Sequence, residues 1–317
     1  MLSRTAENLY WTARYLERAD SIVRLLEVAY RISLIPNTKE GYDNEWASIL
    51  STSGIKNEYL SIYKEIKKEK IEFFLLFDDR NFSSVKNCIT NARENIKMVR
   101  TAVTLEVWNA VNSFFYNYYD LTKKKYYSKD LPEIIDLVKR NVNLIKGTII
   151  NTQLLNDGFD FLILGNYFER ADFTARIIDV KYFILLPSTS LIGTQIDNFQ
   201  WSLMLRSVSS YRAFKWAYGN SEIDYIKIID FLILNNKCPR SLFFSVEKIS
   251  YHLKSLKKHY KENKNFPSKI ENLFRRLKKL TVNDILDEGL HEFLTTFIED
   301  ISAVYSDLEN KYFLGSK

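Results

Sequence analysis

Apolar residues recur with helical spacing along nearly the whole chain. Leu9, Leu16, Val23 and Tyr30 lie seven residues apart, and Leu26 falls on the same side between the last two. This spacing is typical of one buried face of a long helix. The period-two alternation of half-buried strands is absent apart from short ambiguous stretches. The pattern therefore predicts an all-α protein.

Turn residues divide the apolar pattern into a series of predicted helices. The first runs over about 3–35, and Pro36 ends it because proline cannot continue a helix. A long helix is predicted over about 84–120, with a bend near 101–104 as an option. The other predicted helices cover about 46–50, 55–77, 132–156, 159–186, 195–218, 222–234, 239–262, 267–280 and 283–314.

A charged tetrapeptide in the first helix occurs twice. Glu17-Arg18-Ala19-Asp20 is repeated 152 residues later as Glu169-Arg170-Ala171-Asp172, and both copies continue with an arginine four residues on, Arg24 and Arg176. Two further segments match in the same order, Trp46–Leu50 with Trp201–Leu205 and Phe77–Val85 with Leu234–Leu242. The matches predict a tandem duplication and a pseudo-two-fold pair of helical bundles. We expect one domain over 1–317 with repeats of about 1–156 and 157–317.

The tetrapeptide places its charges beside the buried stripe of the helix. With Leu16 at the centre and ~100° per residue, Asp20 falls about 40° off centre, Arg24 about 80° and Glu17 about 100°, whereas Arg18 points to another sector. Two interpretations follow. One is an internal ion-pair network that fixes how the two motif helices dock. The other is a polar site between the repeats, built from Glu17, Asp20 and Arg24 and their counterparts Glu169, Asp172 and Arg176, with Arg18 and Arg170.

Composition limits the classes of function. The chain is 46% hydrophobic and 26% charged, and its 9 glycines and 5 prolines are few, which favours long helices. The net charge is +6, but the lysine clusters are short, so solvated faces are favoured over a nucleic-acid site. Two cysteines give no disulfide framework. The sequence shows no secretory signal and no apolar run of about 18 residues, so we expect a cytoplasmic protein away from the membrane.

The remaining candidate sites are weaker. The helix starts at Ser83-Ser84 and at Arg240-Ser241 could bind an anion, although ordinary capping explains them equally well. Cys238 could have a lowered pKa beside Arg240, but a plain helix start is favoured. A metal triplet of His291 with Glu288 and Glu292 is less favoured than a solvent-facing helix. Phosphate-binding, dinucleotide and zinc-protease patterns are absent, so no metal or cofactor is predicted.

Several segments in order resemble the bacterial alpha-E domain family, an all-helical family named for its "ER" motif. The likeness covers nearly the whole chain and includes both motif helices, Met1–Val28 and Gly158–Val180. The other matching segments are Arg93-Glu94-Asn95, Val99-Arg100, Glu106-Val107-Trp108 with Asn112, Leu205–Ser209 with Tyr211, Pro239-Arg240-Ser241 and Gly289–Leu294. One departure is Asn166, which stands where the first half has Arg14. If one half holds a ligand, the first half is favoured.

The resemblance implies partners rather than a reaction. Members of the family resemble partners of ATP-grasp amide ligases and of transglutaminase-like peptidases, because they are typically encoded beside these enzymes or fused to them. This implies an accessory or binding protein in a system that makes or modifies a peptide. Two alternatives stay open, an enzyme that uses the Glu/Asp/Arg cluster between the repeats and a helical scaffold for complex assembly. A homodimer is a further expectation.

Overall fold

The computed structural model describes residues 1–33, 43–123, 126–127, 130–184, 195–219, 223–261 and 267–314, and the regular structure in these ranges is helical throughout. This confirms the predicted all-α class. The α-helices of the described ranges, numbered in chain order, are α1 Ser3–Ser33, α2 Asp43–Thr52, α3 Lys56–Tyr63, α4 Lys68–Leu76, α5 Val85–Met98, α6 Leu105–Thr122, α7 Leu131–Thr152, α8 Asp157–Ile184, α9 Gln195–Ser207, α10 Tyr211–Tyr218, α11 Tyr225–Ile229, α12 Leu242–His259, α13 Ser268–Lys279, α14 Val282–Glu288 and α15 Leu290–Leu308.

Two of the long predicted helices in the first half are each two helices. The helix predicted over 55–77 breaks after α3, because Lys64 adopts a left-handed conformation with φ 59° that stops the helix. The helix predicted over 84–120 breaks at the 3₁₀ turn Arg100–Ala102, and Thr104 then caps α6 by accepting a hydrogen bond from the Val107 amide. The bend considered near 101–104 is therefore a complete interruption.

Two helices predicted in the second half are also divided. Ser209, at φ 53°, separates α9 from α10, where a single helix over 195–218 was predicted. Gly289, at φ 96°, separates α14 from α15 within the range 283–314. Single-residue left-handed turns leave the apolar pattern almost unbroken, so periodicity does not detect them. Pro36 and the predicted ends at 35, 186 and 222 lie outside the described residues.

The chain divides into two compact units. The first comprises residues 1–166 with 311–317, and the second comprises residues 167–310. This division falls ten residues after the predicted repeat boundary of 156/157, inside α8. The single domain and the tandem duplication both stay predictions.

A ring of four helices forms the body of the first unit. Helix α1 packs against α5 and α7, and α6 packs against α5 and α7 from the other side. The helices bury an apolar interior that includes Leu16 of α1, Ile89 of α5, Phe114 of α6 and Val142 of α7. This burial supplies the main stabilising free energy and positions the charged flank of α1 against α7.

The second unit contains a similar ring. Tyr167 of α8 contacts Phe244 of α12, and Phe168 of α8 contacts Tyr305 of α15. Helix α13 packs against both α12 and α15. In order along the chain, α8, α12, α13 and α15 therefore take the places that α1, α5, α6 and α7 take in the first unit. This agreement is consistent with the predicted duplication.

Candidate functional site

Three motif charges of α1 are buried in the first unit, and the fourth, Arg18, is half-buried. Glu17 and Asp20 are both 0% exposed and Arg24 is 4% exposed. Asp20 accepts a hydrogen bond from Nε of Arg24 at 2.9 Å, the i,i+4 pair that the sequence predicted. Because a buried charge is costly without a partner, this pairing stabilises the fold.

Lys146 of α7 supplies the second positive charge of the cluster. Its Nζ donates to Oε2 of Glu17 and lies 4.0 Å from Oδ2 of Asp20. About two turns away on α7, Lys139 pairs with Glu27 of α1 at 2.7 Å. Burial raises the pKa of Glu27, but hydrogen bonds from Lys139 and Arg31 outweigh this effect and leave the pKa below its ordinary value.

The two lysines were missed in the sequence, although a signal for them exists. Lys139 and Lys146 lie seven residues apart, and they share a helix face with buried apolar residues of α7 such as Val142 and Ile149. A lysine repeated on an apolar face indicates a buried acidic partner. The partner helix could not be named without the fold.

Arg18, the arginine of the ER dipeptide, contacts the start of α5. Its guanidinium donates to Oγ of Ser83 at 3.4 Å. The neighbouring Ser84 is buried and caps α5, because its Oγ accepts a hydrogen bond from the Asn87 amide at 3.2 Å. The sequence prediction that Arg18 points away from the carboxylate flank agrees with this contact.

The second copy of the motif repeats the acid–arginine pair in a more open setting. Arg176 binds Asp172 through two hydrogen bonds, at 2.8 and 3.0 Å, but the side chains are 39% and 28% exposed. Arg170 is buried, donates to the carbonyl of Pro239 at 3.3 Å and stacks over Tyr167. Glu169 is buried. The contact from Arg170 reaches the start of α12, as that of Arg18 reaches the start of α5.

A second acid–base contact also recurs at the same spacing. His291 of α15 lies 2.7 Å from Asp179 of α8, and these two residues stand 152 positions after Lys139 and Glu27. The residue 152 positions after Lys146 is Ile298, which carries no charge. Helix α7 therefore carries a lysine at this position, whereas its counterpart α15 carries isoleucine. This agrees with the prediction that the two halves are not equivalent.

A family model described as a predicted alpha-helical domain with a conserved ER motif matches residues 1–313. The chain belongs to the Alpha-E family. In this Alpha-E chain the ER dipeptide occurs at 17–18 and again at 169–170. Neither the curated proteins nor the solved structures yielded a match. Within the described part of the chain, no helix is both long and apolar enough to cross a membrane.

Two of the serine candidates for anion binding, Ser84 and Ser241, act as helix caps in the Alpha-E fold, whereas Ser83 accepts a hydrogen bond from Arg18. Ser241 is buried, accepts a hydrogen bond from the Phe244 amide and donates one to the carbonyl of Asn235. Burial raises the pKa of the neighbouring Cys238 thiol, and main-chain hydrogen bonds from Arg240 and Ser241 offset this only in part. The suggestion of a lowered thiol pKa beside Arg240 is therefore wrong.

Two members of the disfavoured metal triplet, His291 and Glu288, bind other residues of the chain. His291 contacts Asp179, and Glu288 accepts hydrogen bonds from Arg276 at 2.8 and 3.0 Å. Among the residues that the structure describes, no cluster of three metal-binding side chains occurs.

The central segments that suggested the Alpha-E resemblance come together on α5 and α6. Arg93 donates to Oδ1 of Asn112 at 2.8 Å and stacks over Phe115 with 4.5 Å between guanidinium and ring centroid. Arg100 lies 5.2 Å from the ring of Trp108. These contacts join the end of α5 to α6, so they stabilise the four-helix ring.

Proposed function

We propose that this protein is a non-catalytic accessory protein that acts with an ATP-grasp amide ligase. The system would also contain a transglutaminase-like peptidase and would make or modify a peptide. Support for the partners comes from the family resemblance. Support for a non-catalytic role comes from one observation, the burial and pairing of the motif charges.

The enzyme alternative requires the motif acids to reach a substrate. A general acid or base must lie within hydrogen-bond distance of the reacting proton, directly or through one water molecule. Glu17 and Asp20 are both 0% exposed, and Lys146 and Arg24 face them. Their arrangement is that of an internal ion-pair network that joins α1 to α7, which favours a structural role over an open site. That the network fixes how the two motif helices dock stays a prediction.

The proposal is tested with the full-length protein and an ATP-grasp ligase from the same source. The two are mixed, and complex formation is measured by analytical ultracentrifugation, which also reports whether the protein alone is a dimer. ATP hydrolysis and amide formation are then measured with a peptide acceptor. We expect a complex, and we expect a changed rate or acceptor preference of the ligase.

Two results would oppose the accessory role. The first is the absence of a complex together with unchanged ligase activity. The second is product formation by the protein alone that Glu17→Gln abolishes while the melting temperature stays unchanged, which would establish the enzyme alternative. A complex that alters neither rate nor preference would identify a scaffold instead.

A further inference from the structure

An exposed tryptophan marks one face of α10 in the second unit. Trp216 is 79% exposed, although a side chain of this size is usually largely buried. Arg212 lies one turn earlier on the same face and is also exposed. Arg212 makes no ion pair or hydrogen bond with the residues that the structure describes.

The opposite face of α10 fixes the helix to its own unit. Phe214 is fully buried and contacts both Tyr218 and Phe231, whose ring lies on the π-helical turn Asp230–Leu234. The hydroxyl of Tyr218 also donates a hydrogen bond to Asp230. Because the inner face is anchored, the backbone that carries Arg212 and Trp216 is fixed before any partner binds, which reduces the entropy lost on binding.

The turn before α10 adds a second arginine. Ser209 ends α9 in a left-handed conformation, with main-chain hydrogen bonds from Ser209 to Arg206 and from Ser210 to Leu205. This turn brings the guanidinium of Arg206 to 4.2 Å from the ring centroid of Tyr211. A cation–π contact therefore holds Arg206 against Tyr211, the first residue of α10 and the neighbour of Arg212 in the chain.

All the charged residues between 201 and 219 are basic. Residues 201–219 contain Arg206, Arg212 and Lys215 and no aspartate or glutamate. Arginine and tryptophan are also the residue types most enriched among energetically dominant contacts of protein interfaces. Guanidinium groups bind carboxylates through paired hydrogen bonds. Basic charge beside an exposed indole therefore fits an acidic protein segment.

We infer that the outer face of α10, formed by Arg206, Arg212 and Trp216, is a docking surface for an acidic peptide segment of a partner protein. Carboxylates of that segment bind the two arginines, and an apolar side chain packs on the indole. A membrane surface fits less well, because the large apolar side chain Phe214 points into the protein. The inference uses only residues of α9 and α10 and none of the motif charges, so it is independent of the accessory role.

To test this, peptides are selected from a random display library on the immobilised protein. The affinity of the selected peptides is then measured by fluorescence anisotropy. We expect enrichment of aspartate and glutamate next to an apolar residue. Arg212→Glu and Trp216→Ala should each weaken binding by roughly tenfold or more. Both positions are exposed, so the melting temperature should not change. A peptide with lysine in place of its acids should bind Arg212→Glu better than the wild type.

Matched controls lie elsewhere on the same unit. Lys278→Glu changes an exposed charge on α13, and Tyr251→Ala removes an exposed aromatic ring on α12. Both should bind the peptides as the wild type does. The inference is overturned if selected peptides are not acidic, or if Arg212→Glu and Lys278→Glu weaken binding equally. It is also overturned if phosphatidylserine vesicles or single-stranded RNA, but no peptide, bind in an Arg212-dependent manner.

Discussion

Gly165 of α8 lies directly against the main chain of Tyr10 on α1. A methyl group at Gly165 would overlap the carbonyl oxygen of Tyr10 and would lie 3.1 Å from Cβ of Ala13. Gly165 and Ala13 are themselves 152 residues apart, so the two motif helices touch at matching positions. The small side chain of Ala13 and the missing side chain of Gly165 allow the two backbones to come this close.

The contact predicts that Gly165→Ala destabilises the protein. Overpacking against a rigid main chain costs about 1–3 kcal/mol, and the loss should appear as a lower denaturant midpoint in urea unfolding. Gly147→Ala on α7 is the control, because nothing lies within 4 Å of the added methyl group. That variant should be about 0.5–1 kcal/mol more stable, since alanine favours a helix over glycine. Equal midpoints for Gly165→Ala and the wild type would exclude the close approach.

Asp78 should contribute to stability at acid pH. Hydrogen bonds from Arg80 lower the pKa of Asp78 to about 2, below the ordinary 3.8, against the opposing effect of burial. A lowered pKa means that the contribution is complete above about pH 4 and is lost as the pH falls towards 2. We expect Asp78 to contribute about 1–2 kcal/mol to the free energy of unfolding at neutral pH. The contribution is modest because Arg80 is more than half exposed and solvent screens the pair. Urea unfolding of the wild type and of Asp78→Asn should converge below pH 3, and a constant difference down to pH 2 would contradict this pairing.

Tyr63, which donates to Asp78, should give an opposite dependence at alkaline pH. Burial and then the hydrogen bond to Asp78 raise the pKa of Tyr63 from 10.0 to about 12. The stabilisation is therefore complete below pH 10 and is lost as the pH rises through 12. Tyr63→Phe should remove this part of the alkaline dependence. If the wild type and Tyr63→Phe lose stability in parallel between pH 10 and 12, the raised pKa is wrong.

Lys64 should be replaceable by glycine with a gain in stability. It ends α3 at φ 59°, a conformation that costs a residue with a Cβ atom about 1–2 kcal/mol and costs glycine almost nothing. Lys64→Gly should therefore raise the free energy of unfolding by about 1 kcal/mol. Lys64→Ala removes the same side chain but keeps the strain, so it should stay near the wild type. A gain in the alanine variant as large as in the glycine variant would assign the effect to the lysine charge.

The sequence predicted the helical class, the order of the helices and the i,i+4 pairing of Asp20 with Arg24. These follow from local periodicity, which a single sequence contains. Breaks at Lys64 and Ser209 were missed because one left-handed residue hardly disturbs that periodicity. Lys146 was missed because its partner Glu17 is distant in the chain, and only the packing of α7 on α1 brings them together. The meeting of the two tetrapeptides stays a prediction.

The first motif copy is a buried ion-pair network, and the energetic coupling between Glu17 and Lys146 tests this. The most direct measurement is a double-mutant cycle of urea unfolding with Glu17→Gln, Lys146→Met and the double variant. We expect each single variant to lose about 3 kcal/mol or more, and the double variant to lose less than the sum by more than about 1 kcal/mol. The exposed pair Arg140–Asp136 on α7 serves as the control, with a coupling of about 0.5 kcal/mol or less. Single variants within about 0.5 kcal/mol of the wild type, with no coupling, would contradict the account.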